Sequence, residues 1–327
     1  AGVAVTAVTD GSSVTFDDSV PTLTSVGIAS NNSTATLAKE GDVVTLTLTA
    51  SETIGTPTVT FQSGGDAITN NVAYNNTGGN TWTAVYTTHD SDTDGSVTFS
   101  IAFSDSTGNA GVAVTAVTDG SSVTYDDTVP TLTSVGIASN NSTTTLAKEG
   151  DIVTLSFTAN ETIGTPTVTF QSGGDAITNS VTYANPSDNN WTAAYTTHDS
   201  DTDGSVTFSI AFSDSSGNPG VAVTAVTNGS SVTYDDTVPT LTSVGIASNN
   251  ATTTLAAAGD IVTLTLTASE TIGTPTVTFF SGGDAINDGT IDYANTGGNT
   301  WTAKYTANSS DTDGAVTFSI AFSDTVG

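Results

Sequence analysis

One long run of residues occurs three times in the chain at equal intervals. GVAVTAVTDGSSVTFDDSVPTLTSVGIASNN starts at Gly2, returns 109 residues later at Gly111, and returns after the same interval at Gly220 with few substitutions. Solenoid repeats have periods of about 20–50 residues, so a unit of this length is predicted to be a self-sufficient domain. Near-identical tandem copies favour a mechanical or spacing role over catalysis, because a catalyst seldom needs three successive copies of itself.

The charge of the chain is strongly one-sided. Three lysines and no arginine stand against 33 acidic residues, for a formal net charge of −30. Binding to nucleic acid phosphates requires Lys and Arg, and so does docking on an anionic lipid leaflet. The composition therefore excludes a nucleic acid partner and argues against a membrane surface. Divalent cations are the natural partners of such a surface.

The apolar content, 36% of the residues, is sufficient for a core in each unit. The chain has no Cys, so disulfides, zinc–thiolate sites and cysteine nucleophiles are impossible. An extracellular domain without disulfides needs another stabilising cross-link, and a bound metal ion can provide one. No apolar run approaches the length of a membrane span, so we expect no membrane insertion in this segment. The sequence starts and stops in mid-pattern, which predicts a segment of a longer protein.

Period-two alternation of apolar and polar residues runs through every unit. In Val43–Ser51, apolar side chains occupy every second position and threonines lie between them. This pattern, bounded by Gly, Asn and Asp turns, predicts half-buried antiparallel strands. Seven strands in about 100 residues fit an all-β, immunoglobulin-like (Ig-like) sandwich. The predicted strands are A (Leu23–Ser30), B (Val43–Ala50), C (Thr58–Gln62), D (Ala67–Tyr74), E (Thr81–Thr87), F (Val97–Ser104) and G (Val112–Tyr125, broken at Asp119-Gly120). Each strand E carries a tryptophan that is predicted to fill the hydrophobic core of its domain: Trp82, Trp191 and Trp301.

Domain boundaries are predicted at the DDSVP and DDTVP linkers, where proline follows a pair of acids and precedes a strand. Residues 1–18 then form the last strand and exit of a preceding repeat. Complete Ig-like domains occupy 19–127 and 128–236, and 237–327 is a third domain that lacks its last strand.

Acidic residues alternate in the predicted loop between strands E and F. The pattern D-x-D-x-D-G resembles the first half of a calcium loop, in which carboxylates converge and glycine permits a sharp turn. The first two copies hold Asp90, Asp92, Asp94 and Asp199, Asp201, Asp203. In the third copy Ser309 replaces the first aspartate, so we expect weaker binding there.

Ig-like topology brings further acids to the end of each sandwich where strand A enters. In the second unit these are the linker acids, the glutamate that opens the B–C loop and the aspartate that opens the F–G loop. The E–F loop of the preceding unit is predicted to face them. Carboxylates crowded at such a seam would repel one another unless a cation lay between them, and a set without His or Cys favours Ca²⁺. The three predicted groups are Asp17, Asp18, Glu52 and Asp105; Asp126, Asp127, Glu161 and Asp214; and Asp235, Asp236, Glu270 and Asp324.

The ordered motifs DDTVPTLTSV, GDIVTLSFTANE, WTAAYT and FSDSSGN span the whole chain in three copies. Together they resemble the bacterial Ig-like repeats of large repetitive surface adhesins. The resemblance implies an extracellular, cell-surface stalk whose junctions are stiffened by Ca²⁺. It also implies that the linker acids, the glutamate after strand B and the aspartate opening the F–G hairpin are the ligands. Neighbouring repeats, and a glycan or surface protein at the tip, are the partners it implies.

Two alternatives to a stalk remain open at the level of the sequence. The spare strand at the N-terminus and the vacancy at the C-terminus would allow head-to-tail self-assembly by strand exchange. Each repeat could also bind a glycan or protein, although only Phe280 and the stretch Asn287–Tyr293 distinguish one copy. Enzymatic activity is not expected, because no Ser–His–Asp set recurs and His89 is replaced by Asn308 in the third copy.

Overall fold

The computed structural model describes residues 2–287 and 289–326. Within these residues the chain is all-β, and its strands form pairs of predominantly antiparallel sheets in the arrangement of tandem Ig-like sandwiches. The predicted fold class is therefore confirmed. Nowhere in the described part is there a helix with the length and apolar character to cross a membrane.

The first repeat contains two sheets. A four-stranded sheet has the order β1-β3-β7-β6, and a five-stranded sheet has the order β2-β9-β8-β4-β5. The short strands β2 and β9 pair in parallel, whereas the other pairings are antiparallel. The strands are β1 (Leu23–Ser30), β2 (Leu37–Ala38), β3 (Val43–Ala50), β4 (Thr58–Ser63), β5 (Asp66–Ala67), β6 (Ala73–Gly78), β7 (Thr81–Thr87), β8 (Gly95–Ala102) and β9 (Thr124–Tyr125).

The second repeat has the same pattern, with sheets ordered β10-β12-β16-β15 and β11-β18-β17-β13-β14. Its strands are β10 (Leu132–Ser139), β11 (Leu146–Ala147), β12 (Ile152–Ala159), β13 (Thr167–Ser172), β14 (Asp175–Ala176), β15 (Thr182–Ser187), β16 (Asn190–Thr196), β17 (Gly204–Ala211) and β18 (Thr233–Tyr234).

The third repeat keeps the four-stranded sheet β19-β20-β24-β23, but its second sheet has three strands in the order β22-β21-β25. Counterparts of β2 and β9 are absent from the described residues. The strands are β19 (Leu241–Ser248), β20 (Ile261–Ala268), β21 (Thr276–Ser281), β22 (Asp284–Ala285), β23 (Asp292–Gly297), β24 (Thr300–Thr306) and β25 (Val316–Ala321).

The alternation read from the sequence accounts for each core. Along β3, Val44, Leu46 and Leu48 are fully buried while the intervening threonines face outward or lie at the margin. In the facing sheets, the rings of Phe61 and Tyr86 pack 4.9 Å apart at a 45° tilt. Both other repeats contain the same ring pair. Burial of such side chains contributes roughly 1.5–3 kcal/mol each, so the cores dominate the stability of each sandwich.

Strand D was predicted as one element over Ala67–Tyr74, and this prediction is wrong. The segment forms two strands, β5 and β6, separated by a loop. The Thr69 backbone N–H donates to the Asp92 carboxylate at 2.8 Å, and the Asn70 side chain donates to the Thr87 carbonyl at 2.8 Å. The Thr69 N–H is therefore bonded to a side chain and not to a neighbouring strand, and the Asn70 side chain holds the loop beside β7.

The prediction for strand G was too long. Only Thr124–Tyr125 forms a strand, although Val114 makes an isolated bridge with Ile101. Along β1, side chains replace the expected backbone partners. The Val26 N–H donates to the Thr118 hydroxyl at 3.0 Å, and the Ile28 N–H donates to the Ser121 hydroxyl at 2.8 Å. The segment therefore closes the sandwich without a continuous ladder.

The chain divides into two compact units. The first comprises Ala1–Leu132 with Ala159–Thr167 and Ala211–Ala222, and the second comprises Thr133–Thr158, Val168–Ile210 and Val223–Gly327. The first unit thus contains the first sandwich together with the loops of the second repeat that lie against the linker. The predicted boundaries at 18/19, 127/128 and 236/237 remain a prediction.

Candidate metal centre

Three acids from three separate segments of the first unit converge next to the linker. Asp126 lies in the linker, Glu161 follows β12, and Asp214 follows β17. One carboxylate oxygen of each lies within 4.8 Å of the others, and Asp214 is buried. The fold therefore assembles a compact set of oxygens from segments that are distant in the sequence.

A tight hairpin holds Asp214 in place. Its Oδ1 accepts hydrogen bonds from the Gly217 and Asn218 backbone N–H groups at 2.6 and 2.8 Å. The Asn218 side chain donates to Asp214 Oδ2 at 2.8 Å and to the Asp126 carbonyl at 2.7 Å. One carboxamide thus ties the hairpin to the linker and fixes two of the three acids relative to each other.

A fourth acid reaches this cluster from the loop between β7 and β8. Asp94 Oδ1 accepts from the Asp127 N–H at 3.0 Å, and its Oδ2 accepts from the Thr128 hydroxyl at 2.7 Å. Asp127 itself accepts from the Tyr125 hydroxyl at 3.1 Å. The first repeat therefore binds the linker through hydrogen bonds to Asp94, next to the trio.

Two carboxyl groups of the cluster have raised pKa values. Burial raises the pKa of Glu161, and the charges of Asp126 and Asp214 raise it further. Burial likewise raises the pKa of Asp126, with repulsion from Asp214 and Asp94 adding to the effect and a hydrogen bond from Thr128 opposing it. Desolvated carboxylates near like charges hold protons more tightly unless a cation compensates them.

The first repeat contains an equivalent trio, formed by Asp17, Glu52 and Asp105. Asn109 again donates to both sides, to the Asp17 carbonyl at 3.1 Å and to Asp105 Oδ2 at 2.8 Å. Burial raises the pKa of Asp105, but hydrogen bonds from Asn109, Thr107 and Gly108 outweigh it and lower the pKa to about 2. Asp105 is therefore held as a carboxylate. Asp18, beside this trio, is exposed.

The third group gathers around Glu270 in the second unit. Burial raises the pKa of Glu270, with further contributions from Asp235, Asp324 and Asp203. Its Oε1 is buried and has no hydrogen-bond partner. Asp203 accepts from the Asp236 N–H at 2.9 Å and from the Thr237 hydroxyl at 2.6 Å, which repeats the grip of Asp94. These acids do not form a trio as compact as the other two within the described residues.

The other acids of the D-x-D-x-D-G loops lie elsewhere. Asp92 is buried and clamps its own loop by accepting from the His89 and Thr69 N–H groups, and Asp201 does the same in the second copy. Asp90 is exposed and pairs with the His89 ring at 2.6 Å, as Asp199 pairs with His198 at 2.7 Å. The three alternate carboxylates therefore do not converge, and only the third of each loop lies beside the linker.

The sequence did not predict a role at the first junction for several residues that hold it together. Lys39 Nζ donates to the Gly217 carbonyl at 2.8 Å, and Asn32 donates to the Ser216 carbonyl at 3.0 Å and to Asp42 at 2.8 Å. Asn218 belongs to the same group. Their recurrence at equivalent positions was a usable signal, but Asn is so abundant in this chain that recurrence alone did not distinguish them.

The donor set suits a hard divalent cation. In each of the two trios, carboxylate oxygens come from three segments, and neither His nor Cys is among them. The buried Oε1 of Glu270, which has no hydrogen-bond partner, belongs to the separate third group. Ca²⁺ prefers several oxygen ligands with flexible geometry. A bound cation would offset the repulsion that raises the pKa of Asp126 and Glu161.

No family model matches the chain, and no curated protein matches it. Solved structures similar to it include an I-band fragment from titin, with 9% identity, a TM-score of 0.39, and coverage of 93% of this chain and 98% of that one. A marsupial T cell receptor has 11% identity, a TM-score of 0.38, and coverage of 90% and 96%. The Ig-like class of the chain follows from its own strand order and sheet pairing.

Proposed function

We propose that this chain is a structural extender of an extracellular adhesin or surface filament, and that Ca²⁺ stiffens its junctions. The observation that carries the proposal is the trio of Asp126, Glu161 and Asp214, with Asp94 of the preceding repeat beside it. An ion held beside a linker that Asp94 of the preceding repeat also binds would couple the two repeats mechanically. The same constellation beside successive linkers is what a spacing element requires.

The arrangement of the trio supports a joint more than a pocket for an organic ligand. Its acids lie on the linker and on two loops next to it, so a bound cation would tie the linker to the following sandwich. Asp94 is attached to the same linker through the Asp127 N–H and the Thr128 hydroxyl. Fixing the linker from both sides removes the conformational freedom of a segment that no sheet holds.

The chemistry of the surface also supports Ca²⁺ as the ion. With a net charge of −30, the chain attracts divalent cations, and hard oxygen ligands favour Ca²⁺ over transition metals. Residues Asp126, Glu161 and Asp214 would hold the ion, and Asp94 would contribute charge from the preceding repeat. The ion would supply electrostatic compensation for acids that otherwise repel.

A calcium titration of the full chain tests this proposal. We expect Ca²⁺ to raise the melting temperature and to reduce the conformational spread seen in small-angle scattering, and chelator to reverse both. Glu161→Gln removes one charge from the trio and should weaken binding at that site by about tenfold or more.

The matched control is Asp90→Asn, because Asp90 is exposed and lies outside the trio. This variant should bind Ca²⁺ at the linker as the parent chain does. Melting and scattering that do not change between Ca²⁺ and chelator would refute the proposal, as would equal losses in the two variants.

A further inference from the structure

One turn of the second repeat differs in its chemistry from the other copies. It begins with Asn228-Gly229, whereas the equivalent positions of the repeated run hold Asp10-Gly11 and Asp119-Gly120. Nowhere else in the sequence does an asparagine precede a glycine. Because glycine has no Cβ, the backbone nitrogen that follows Asn228 is accessible to the Asn228 carboxamide.

Two hydrogen-bonded anchors hold this turn on β10. On one side, the Thr227 N–H donates to the Val135 carbonyl at 2.9 Å. On the other side, the Ile137 N–H donates to the Ser230 hydroxyl at 2.8 Å. Between these anchors, residues 228–229 are exposed and lie outside any strand. The two residues are therefore open to solvent, while the chain on each side of them is fixed.

The local geometry brings the carboxamide close to the backbone. Asn228 Oδ1 accepts from the Ser230 N–H at 3.0 Å, which folds the side chain back in an Asx turn and polarises its carbonyl. The Gly229 N–H has no hydrogen-bond partner among the described residues. Apart from its chain neighbours, no atom lies within 4 Å of the place where a Cβ of Gly229 would stand. The Gly229 nitrogen is therefore neither paired nor shielded.

From this arrangement we infer that Asn228 is a site of spontaneous deamidation. The Gly229 nitrogen loses its proton to solvent, attacks Asn228 Cγ and forms a C–N bond. The Cγ–Nδ2 bond breaks, and the departing nitrogen takes a proton from water and leaves as ammonia. Water then opens the five-membered succinimide. Opening at Cγ gives aspartate and opening at the Asn228 backbone carbonyl gives isoaspartate, so the net reaction consumes water and releases ammonia.

The first repeat shows that the fold accommodates the aspartate product. Asp119 lies against Gly27 as Asn228 lies against Gly136, and a Cβ added to either glycine would clash with the side chain. Asp119 Oδ1 accepts from the Ser121 N–H at 3.0 Å and from the Ser121 hydroxyl at 2.6 Å. Within the described residues, Asn228 Oδ1 accepts only the backbone bond. Conversion to aspartate would therefore give the second repeat the more strongly bonded turn of the first.

The isoaspartate product would have the opposite effect. It inserts the side-chain methylene into the backbone between the two anchors, so Thr227 and Ser230 could no longer both meet β10 in register. The Val135 and Ile137 N–H groups, which donate to the hydroxyls of Thr227 and Ser230 at 2.9 and 2.8 Å, would lose their partners. Neither product requires calcium at the junctions.

Peptide mapping of the full chain after incubation in mildly alkaline buffer tests the inference. We expect the mass increase of deamidation at Asn228 to accumulate about tenfold faster, or more, than at any other asparagine. Asn218 is the internal control, because Pro219 follows it and has no N–H to lose. In water enriched in the heavy oxygen isotope, the label should appear in both products.

The same chain in urea separates the effect of the sequence from that of the fold. In urea the rate at Asn228 depends on the Asn-Gly dipeptide alone, and we expect the folded chain to react within about tenfold of that rate. A folded chain that reacts more slowly than this would show that the turn protects Asn228, which would overturn the inference. So would equal rates at Asn228 and at the other asparagines.

Two variants and one product test the structural part of the inference. Gly229→Ala should slow deamidation by about tenfold or more, and circular dichroism checks that it stays folded. Asn228→Asp should melt at or above the temperature of the parent. The isoaspartate form, separated by chromatography, should exchange the Val135 and Ile137 amide hydrogens faster than the parent. An Asn228→Asp variant that melts lower than the parent, or an isoaspartate form with unchanged exchange, would contradict the proposed consequences.

Discussion

Residues 2–18 and 111–127 have nearly the same sequence and different structures. In the second segment Val123 and Tyr125 are buried in the first sandwich, whereas Val14 and Phe16 of the first segment are exposed. Within the described residues, the segment 111–127 packs against the two sheets of the first sandwich, and no sheet packs against residues 2–18. Burial of this sequence therefore depends on partners from other segments and is not a property of the segment alone.

The largest expected effect comes from removing the buried ring. Tyr125→Ala should lower the free energy of unfolding of the first sandwich by about 3–5 kcal/mol, because it leaves a cavity where a fully buried side chain stood. Phe16→Ala should change the stability of the dilute chain by no more than about 0.5 kcal/mol. Urea unfolding of both variants at low concentration measures the difference, and similar losses would mean that residues 2–18 are packed after all.

The next effect concerns calcium at the acidic ends of the two segments. The Asp126 trio has Asp94 beside it, whereas the Asp17 trio has no such neighbour among the described residues. Asp94→Asn should therefore weaken calcium binding at one of the two trios by roughly tenfold and leave the other unchanged. Calorimetric titration measures the calcium affinity of each trio. An equal loss of affinity at both trios, or no loss at either, would contradict the expected difference between them.

The pH dependence of the two ends should have opposite signs. The pKa values of Asp126 and Glu161 are raised, so the folded state holds more protons than the unfolded state. In chelator, their contribution to stability should fall as pH rises from the ordinary carboxyl range through these raised values. The pKa of Asp105 is lowered from 3.8 to about 2, so its contribution is present above 3.8 and is lost as pH falls toward 2.

Melting curves of the parent and Glu161→Gln between pH 4 and pH 7 (about the range of carboxyl titration) measure the first effect. The variant should show a shallower loss of stability with rising pH. If stability depends on pH in the same way in the parent and the variant, the repulsion within the trio makes no measurable contribution to the free energy of unfolding.

The smallest effect concerns the glycine of a shared turn. Gly11 and Gly120 have positive φ values of 73° and 75°, and no atom lies within 4 Å of an added Cβ at either position. Gly120→Ala should cost about 1 kcal/mol from backbone strain alone, because the packed segment must keep this conformation. Gly11→Ala should cost little, since the unpacked segment can relax. Equal costs would indicate that the turn is held equally firmly in both places.

Much of the sandwich could be predicted from the sequence. Strands A, B and E have the predicted bounds, because apolar and β-branched residues alternate strictly along them and well-marked turns end them. Strands D and G departed from prediction because side chains of Asp92, Thr118 and Ser121 took up backbone groups that a ladder would have paired. A period-two sequence pattern does not predict such long-range hydrogen bonds between side chains and backbone groups.

The candidate site was predicted in outline. In the first two groups, one linker acid (Asp17 or Asp126) lies together with the glutamate after strand B and the aspartate opening the F–G hairpin. Asp18 and Asp127 are not members of these trios, and the third group forms no such trio among the described residues. Metal binding by these acids stays a prediction. The E–F loops were less accurately predicted, since Asp92 clamps its own loop and Asp90 pairs with His89. Which carboxylates face a linker depends on the local course of a loop, and alternation in sequence does not determine it.

The sequence alone determined the repeat, the alternation that defines the strands and the local turns. The Asp10 and Asp119 side chains each accept from the N–H and hydroxyl of the serine two residues on, so this turn forms in either setting. The tertiary structure decided whether the residues around the turn are buried or exposed. It also decided which acids come together, because hydrogen bonds within a turn are local, whereas burial and the grouping of charges require partners from distant parts of the chain.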